Sequence, residues 1–282
     1  MHTELLRQSA GLPQIHHITL ERLACRDTAL NRRGYPIRAT GFYSNEPVFG
    51  EFLRVARRLG FTLVPYEAAT GSQEAREQGP ARHIVDRILA KDPKAKIFVY
   101  AGYDHINESG TLGGAKPMAM RFRELTGIDP LTVDQTTLTE QADTTYEDSR
   151  YRYLMKRVRR QSPFVLRTGD SLWSARPGVH DVTVIHPRAV SRAFRPNWLY
   201  AFENRKAYLL SDEICGMSAL DCVVTARNAD ESPDAVPVDA LRLQFSAPGS
   251  KTFVLPPGRY VIDAHDGAGT LLSTQTVTIP AR

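Results

Sequence analysis

The stretch "KIFVYAGYDHINESGTLGGAKPMAMRFRELTGIDPLTVDQT", residues 96–136, decides how the first half of the chain folds. "KIFVYAG" (96–102) has no polar face, which predicts a strand covered on both sides, as in the middle of a parallel sheet. The small residues Ala101 and Gly102 allow a sharp turn that ends in His105. A loop with Gly110, Gly113 and Gly114 then leads into a helix over 116–127, with Pro117 in its first turn and Gly127 at its end. "DPLTVDQT" (129–136) supplies the next strand.

The same grammar extends toward the N-terminus. "HHITLERL" (16–23) is a β-branched run. "EPVFGEFLRVARRLG" (46–60) places Phe49, Phe52, Leu53, Ala56 and Leu59 at helical spacing and stops at Gly60. "FTLVPYEA" (61–68) reads as a strand, and "QEAREQGPARHIVDRILAKD" (73–92) as a helix interrupted at Gly79-Pro80. Strand and helix in alternation predict parallel strands joined by right-handed crossovers. Beyond residue 160 the period changes to two. "DVTVIHP" (181–187), "KAYLLS" (206–211), "DCVVTAR" (221–227), "LRLQFS" (241–246) and "TLLSTQTVTIP" (270–280) alternate between turn residues. "KTFVLPPGRYVIDAHD" (251–266) reads as a strand, turn and strand pair. The expected fold is therefore α/β: a mostly parallel sheet flanked by helices over residues 1–160, followed by a small all-β, sandwich-like module over 161–282.

Composition is that of an ordinary globular protein, with 42% apolar and 24% charged residues among 282. The net charge of +5 is spread along the chain, and its densest cluster, "MKRVRR" (155–160), reads as a solvated helix face. No nucleic-acid motif accompanies it, so nucleic acid is not an expected partner. Cys25, Cys215 and Cys222 form no zinc spacing; a Cys215–Cys222 disulfide is open. No run approaches the ~20 apolar residues of a membrane helix, and "MHTELLRQ" does not read as a leader.

Ligands of open parallel sheets bind beyond the carboxyl ends of the strands. This chain is expected to place Glu21, Glu67, His105 and Asp134 with Gln135 there, with Arg76 and Arg82 on the helix after Glu67. A histidine beside carboxylates suits general acid–base work, because imidazole titrates near neutrality and a carboxylate fixes its tautomer. The same donors suit a divalent metal. Taken singly, Glu21 and Glu67 equally fit helix capping or pairing with Arg22 and Arg76. His186 in "VIHPR" reads as a turn or interface residue of the β module. No GxSxG, P-loop, HExxH or GxGxxG occurs.

"ALNRRGYPIRATGFYSNEPVFGEFLRVARRLGFTLVPYEA", "KIFVYAGYDH" and "PMAMRFRELTGIDPLTVDQT" together resemble the Tiki and erythromycin-esterase-like superfamily, with its TraB-type and haem-binding members. The resemblance spans roughly residues 16–140. Gly102–His105 fits that group's Gly-x-x-His signature, and the strand ending in Glu21 fits its recurrent glutamate. Arg76 and Arg82 are both eligible for its recurrent arginine. The resemblance implies a hydrolase of an ester, lactone or amide, with Glu21, His105 and Arg76 or Arg82 catalytic. Glu67, Tyr103, Lys116 and Met118 would adjoin a bound small molecule. In the metal-dependent branch Glu21 and His105 would hold the ion; in another branch the ligand is haem, and the chain would be a binding protein or a non-catalytic homologue. The family's first Gly-x-x-His motif, on a strand ahead of Glu21, has no counterpart after Met1, and His2 opens a helix-like pattern. The expectation is that the chain either starts late or has lost half of that site.

Overall fold

The computed structural model describes residues 15–20, 23, 27–67, 71–216, 221–244, 249 and 251–281. His2, Glu21 and Cys25 lie outside the described residues. The main helices are α1 (Pro47–Arg58), α2 (Gln73–Ile84), α3 (Met118–Thr126) and α4 (Ser149–Arg157). The main strands of the first 188 residues are β1 (Ile15–Leu20), β2 (Thr62–Pro65), β3 (Lys96–Tyr100), β4 (Val133–Asp134), β5 (Phe164–Val165) and β6 (Val182–Ile185). Later strands are β7 (Lys206–Leu209), β8 (Asp221–Asn228), β9 (Asp239–Gln244), β10 (Thr252–Leu255), β11 (Gly258–His265) and β12 (Leu271–Ile279). They group into two units. One comprises Leu12–Cys25 and Phe61–Arg188; the other contains Arg26–Gly60 and Ala189–Arg282. The division thus does not follow the change of period near residue 160.

In the first unit β1, β2 and β3 form the expected parallel sheet, in the order β2-β1-β3. The central strand is β1, whose Ile18, Thr19 and Leu20 are fully buried, whereas β3 lies outside it and is half-buried. The apolar run of β3 had pointed to the centre. Its apolar side chains are used differently: Ile97, Val99 and Ala101 pack with Ala81 and Ile84 of α2 and Met118 and Phe122 of α3. Helix α2 starts at a Ser72 cap, whose Oγ accepts the Ala75 N–H, and runs through Pro80 without the expected break. It continues as a π-helical turn, Val85–Leu89.

The fourth strand does not join this sheet. β4 pairs in parallel with β6, and β6 pairs antiparallel with β5, in a sheet of its own. All four residues of β6 are buried, and Leu138, Tyr151, Ala175 and Ile185 form the core beside it. Residues 161–188, expected in the β module, therefore belong with the α/β part.

In the second unit β9-β8-β11-β12 form an antiparallel sheet and β7-β10 a separate antiparallel pair. Side chains of both share one core: Cys222, Val224 and Ala226 of β8, Leu241 and Leu243 of β9, Tyr260, Ile262 and Ala264 of β11, Phe253 and Leu255 of β10. Their spacing of two is the strand period read from the sequence. Pro256-Pro257 does not close a hairpin; it passes the chain from β10 in one sheet to β11 in the other. Cys215 and Cys222 are joined by a disulfide.

Helix α1 belongs to this second unit. Glu46 caps it, accepting the Val48 and Phe49 N–H groups, with Pro47 at its first position. Gly50 fits where it does because a Cβ there would stand 2.9 Å from Val236 Cγ1 and 3.3 Å from the Ser44 carbonyl oxygen. Gly50→Ala is expected to destabilise this unit by about 1–3 kcal/mol, the usual range for overpacking. A urea midpoint equal to that of the wild type would show that Val236 gives way freely.

Candidate active site

The parallel sheet ends at Pro65 and Tyr100, and the two chain exits are tied together. The Tyr66 hydroxyl donates to the Tyr100 carbonyl at 2.9 Å, and His83 Nδ1 of α2 lies 2.7 Å from the Tyr66 carbonyl. Beyond Tyr100 the chain turns through Ala101-Gly102 into a single 3-10 turn, Tyr103–Ile106, which carries His105. The reading of a histidine at the strand exit therefore describes the local structure well.

The partner of His105 is Glu77. His105 Nδ1 lies 2.8 Å from Glu77 Oε2, and the glutamate side chain is 0% exposed against 17% for the histidine. Glu77 sits on α2 in line with Ala81 and Ile84, on the face that packs against β3. Its carboxylate has two further donors: the Met118 N–H, which opens α3, reaches Oε2 at 2.9 Å, and Gln73 Nε2 reaches Oε1 at 2.5 Å. A helix N-terminus carries partial positive charge, so α3 holds this carboxylate as an anion-binding end would. An ionised Glu77 can only accept, so His105 Nδ1 carries the hydrogen between them. The glycine loop lies against the same corner: Gly113 has φ of +56°, and a Cβ there would stand 3.1 Å from Gln73 Cγ.

Other residues singled out in the sequence fall into different places. Glu21 lies outside the described residues. Arg76 and Arg82 are exposed on α2; at about 100° per residue they point roughly 100° and 140° away from Glu77. Glu67 is half-buried just after β2. Tyr103 is 54% exposed on the turn of His105. Lys116 is exposed and pairs with Glu124 of α3. The Met118 side chain is in the core with Tyr66, Ala81 and Ile84, so it is the Met118 backbone that serves the site.

Asp134 belongs to the other sheet and works as a turn cap. Its Oδ1 accepts the Thr136 and Thr137 N–H groups and the Thr136 hydroxyl. Burial opposes its charge, but the bonds from Thr137 and Thr136 prevail and hold its carboxyl below the usual range. His186 follows β6, in the first unit and not in the β module; burial pushes its imidazole down to about 4, so it is neutral at pH 7. Among the described residues no group of three or more His, Cys, Asp or Glu side chains is arranged to hold a metal ion. No helix among them is long and apolar enough to cross a membrane.

Sequence reasoning missed Glu77. The signal was present: Glu77 stands three, four and seven residues before Pro80, Ala81 and Ile84, on the apolar face of its helix. A carboxylate at a core-facing position needs a partner. Compared with protein-family models, with curated proteins and with solved structures, the chain finds no match.

Proposed function

We propose that the Glu77–His105 pair is the acid–base unit of a hydrolase acting on an ester, lactone or amide, of the kind the Gly102–His105 resemblance implies. The observation that supports this is the 2.8 Å contact between His105 Nδ1 and a buried, three-donor carboxylate. Such a carboxylate orients the ring, keeps the hydrogen on Nδ1 and stabilises the imidazolium that forms when Nε2 takes a proton. In this reading Nε2 removes a proton from water as the water attacks the substrate carbonyl. The imidazolium then returns that proton to the leaving alkoxide or amine, which restores the resting state. The test is hydrolysis of a chromogenic ester and of a simple lactone by the purified protein. Turnover well above the buffer rate is expected; none on either substrate overturns the hydrolase reading.

The same observation also supports a second reading. A histidine whose Nδ1–H is held by a carboxylate is the usual form of a metal-ligating imidazole. Nε2 would then bind a divalent metal ion or haem iron, and the protein would be a small-ligand binder or a metal-dependent hydrolase. An absorbance scan for a Soret band and elemental analysis of the purified protein separate these cases. An unaltered protein with neither signal, and with ester turnover in the presence of a chelator, leaves the first reading standing alone.

A further inference from the structure

The turn that carries His105 is held by a second histidine, His180, far away in sequence. The geometry points to His180 as a positioning residue for His105, acting through Asn107; this rests on the reading of Glu77–His105 as an acid–base pair. His180 is 3% exposed, and its Nε2 lies 2.8 Å from Asn107 Oδ1. The Asn107 amide nitrogen reaches Asp104 Oδ1 at 3.4 Å, which orients the amide with its oxygen toward His180. Hence Nε2 of His180 carries the hydrogen and donates it.

Residues on either side of His180 grip the same turn. The Glu108 N–H donates to the Val179 carbonyl at 3.0 Å. The Asp181 N–H donates to Thr132 Oγ1 at 3.0 Å, and that hydroxyl donates in turn to Glu108 Oε1. Asp181 Oδ2 accepts the Thr132 N–H at 2.9 Å. Residues 179–181 therefore fasten Asn107 and Glu108 at consecutive positions, two and three residues beyond His105. Glu77 sets the angle of the imidazole ring; residues 179–181 set where its backbone stands.

The groups around His180 favour a neutral ring. Burial lowers its pKa, Asp134, Asp104 and the Tyr103 backbone act to raise it, and Arg176 lowers it. A neutral ring is sufficient for the bond to Asn107, because that bond needs only the Nε2 hydrogen. The role is thus geometric. Displacing reacting groups by about 1 Å can cost on the order of a hundredfold in rate, so a turn fastened at its exit matters for a general base.

Two variants separate position from mere support of the fold. H180L keeps an apolar side chain of similar bulk and has no donor; H180Q keeps an amide donor that reaches Asn107 Oδ1. We expect H180L to lower kcat about ten- to a hundredfold with little change in KM, and H180Q to recover most of that loss. In the absence of ester turnover, the imidazole 15N shifts of His105 still decide the matter. They should report the Nδ1–H form in the wild type and in H180Q, and a mixture of tautomers in H180L. His105 shifts in H180L identical to those of the wild type overturn the inference, as does unchanged kcat in H180L where His105→Ala has abolished hydrolysis. Lack of turnover in the wild type, with the His105 shifts moving as described, overturns the hydrolase reading and leaves the positioning intact. Equal loss in H180L and H180Q, with both urea midpoints lowered alike, assigns His180 to the fold alone and overturns it too.

Discussion

His105→Ala is expected to reduce ester turnover to the buffer rate, and Glu77→Gln to lower kcat by about two to four orders of magnitude. The glutamine case is the more telling, because the substitution preserves shape. Its side-chain oxygen can occupy the place of Glu77 Oε2, accepting from His105 Nδ1 and the Met118 N–H. Its amide nitrogen then faces Gln73, which meets it by turning its own amide over. The side-chain volume is nearly the same, so the helix packing need not change. What disappears is the negative charge that stabilises an imidazolium in the transition state, so the loss should fall on kcat and leave KM nearly unchanged. Stability should fall by roughly 1–3 kcal/mol, because charge-assisted hydrogen bonds become neutral ones. Steady-state kinetics and urea unfolding of the same preparation check both halves. Wild-type kcat in Glu77→Gln would remove the carboxylate from the mechanism, however close it lies to His105.

The sequence made the alternation of strand and helix legible because each element carries its own period. It could not assign those elements to units. Helix α1 shows an apolar stripe, and a stripe says that a face is buried without saying against what. Here the answer is the unit containing β8 to β12, more than 150 residues downstream. β4 has only two paired residues, and its partner β6 lies about fifty residues later, so no local window could reveal the pairing. At the site, the Gly102–His105 turn was visible as a strand exit. Glu77 was not sought because a glutamate in the first turns of a helix is usually solvated. Only the phase of its apolar neighbours, Ala81 and Ile84, marks it as facing inward.

The same phase argument applies to Arg54, where the second large effect is expected. Glu51, Arg54 and Arg58 stand three and four residues apart on α1, a pattern that passes for a surface salt-bridge ladder. Arg54 is instead 2% exposed. Its Nε and Nη2 grip Glu231 at 2.7 and 2.6 Å, and Nη2 also donates to the Val236 carbonyl at 2.5 Å. Nη1 lies 3.6 Å from Glu51 Oε2, and Arg58 reaches Glu51 from the other side at 3.0 Å. Arg54→Met fills the volume but takes the guanidinium from Glu231 and leaves Glu51 with Arg58, and removing one member of a buried ion pair costs about 3–5 kcal/mol. The deficit should depend on pH in a definite direction. Burial raises the Glu51 pKa despite Arg54 and Arg58, so the stability that its protonated form contributes is present at low pH and lost as pH rises through that raised value. Without Arg54 the value rises further, so the variant falls further behind the wild type as the solution becomes alkaline. Urea unfolding should be followed by Trp198, which lies in the same unit, with Trp173 of the other unit replaced by phenylalanine. A larger deficit at pH 8 than at pH 5.5, partly relieved by adding Glu51→Gln, is the expected result. A loss below about 1 kcal/mol, typical of an exposed pair, or a deficit that ignores pH, would mean that water reaches Glu51 and Glu231 and that Arg54 merely packs.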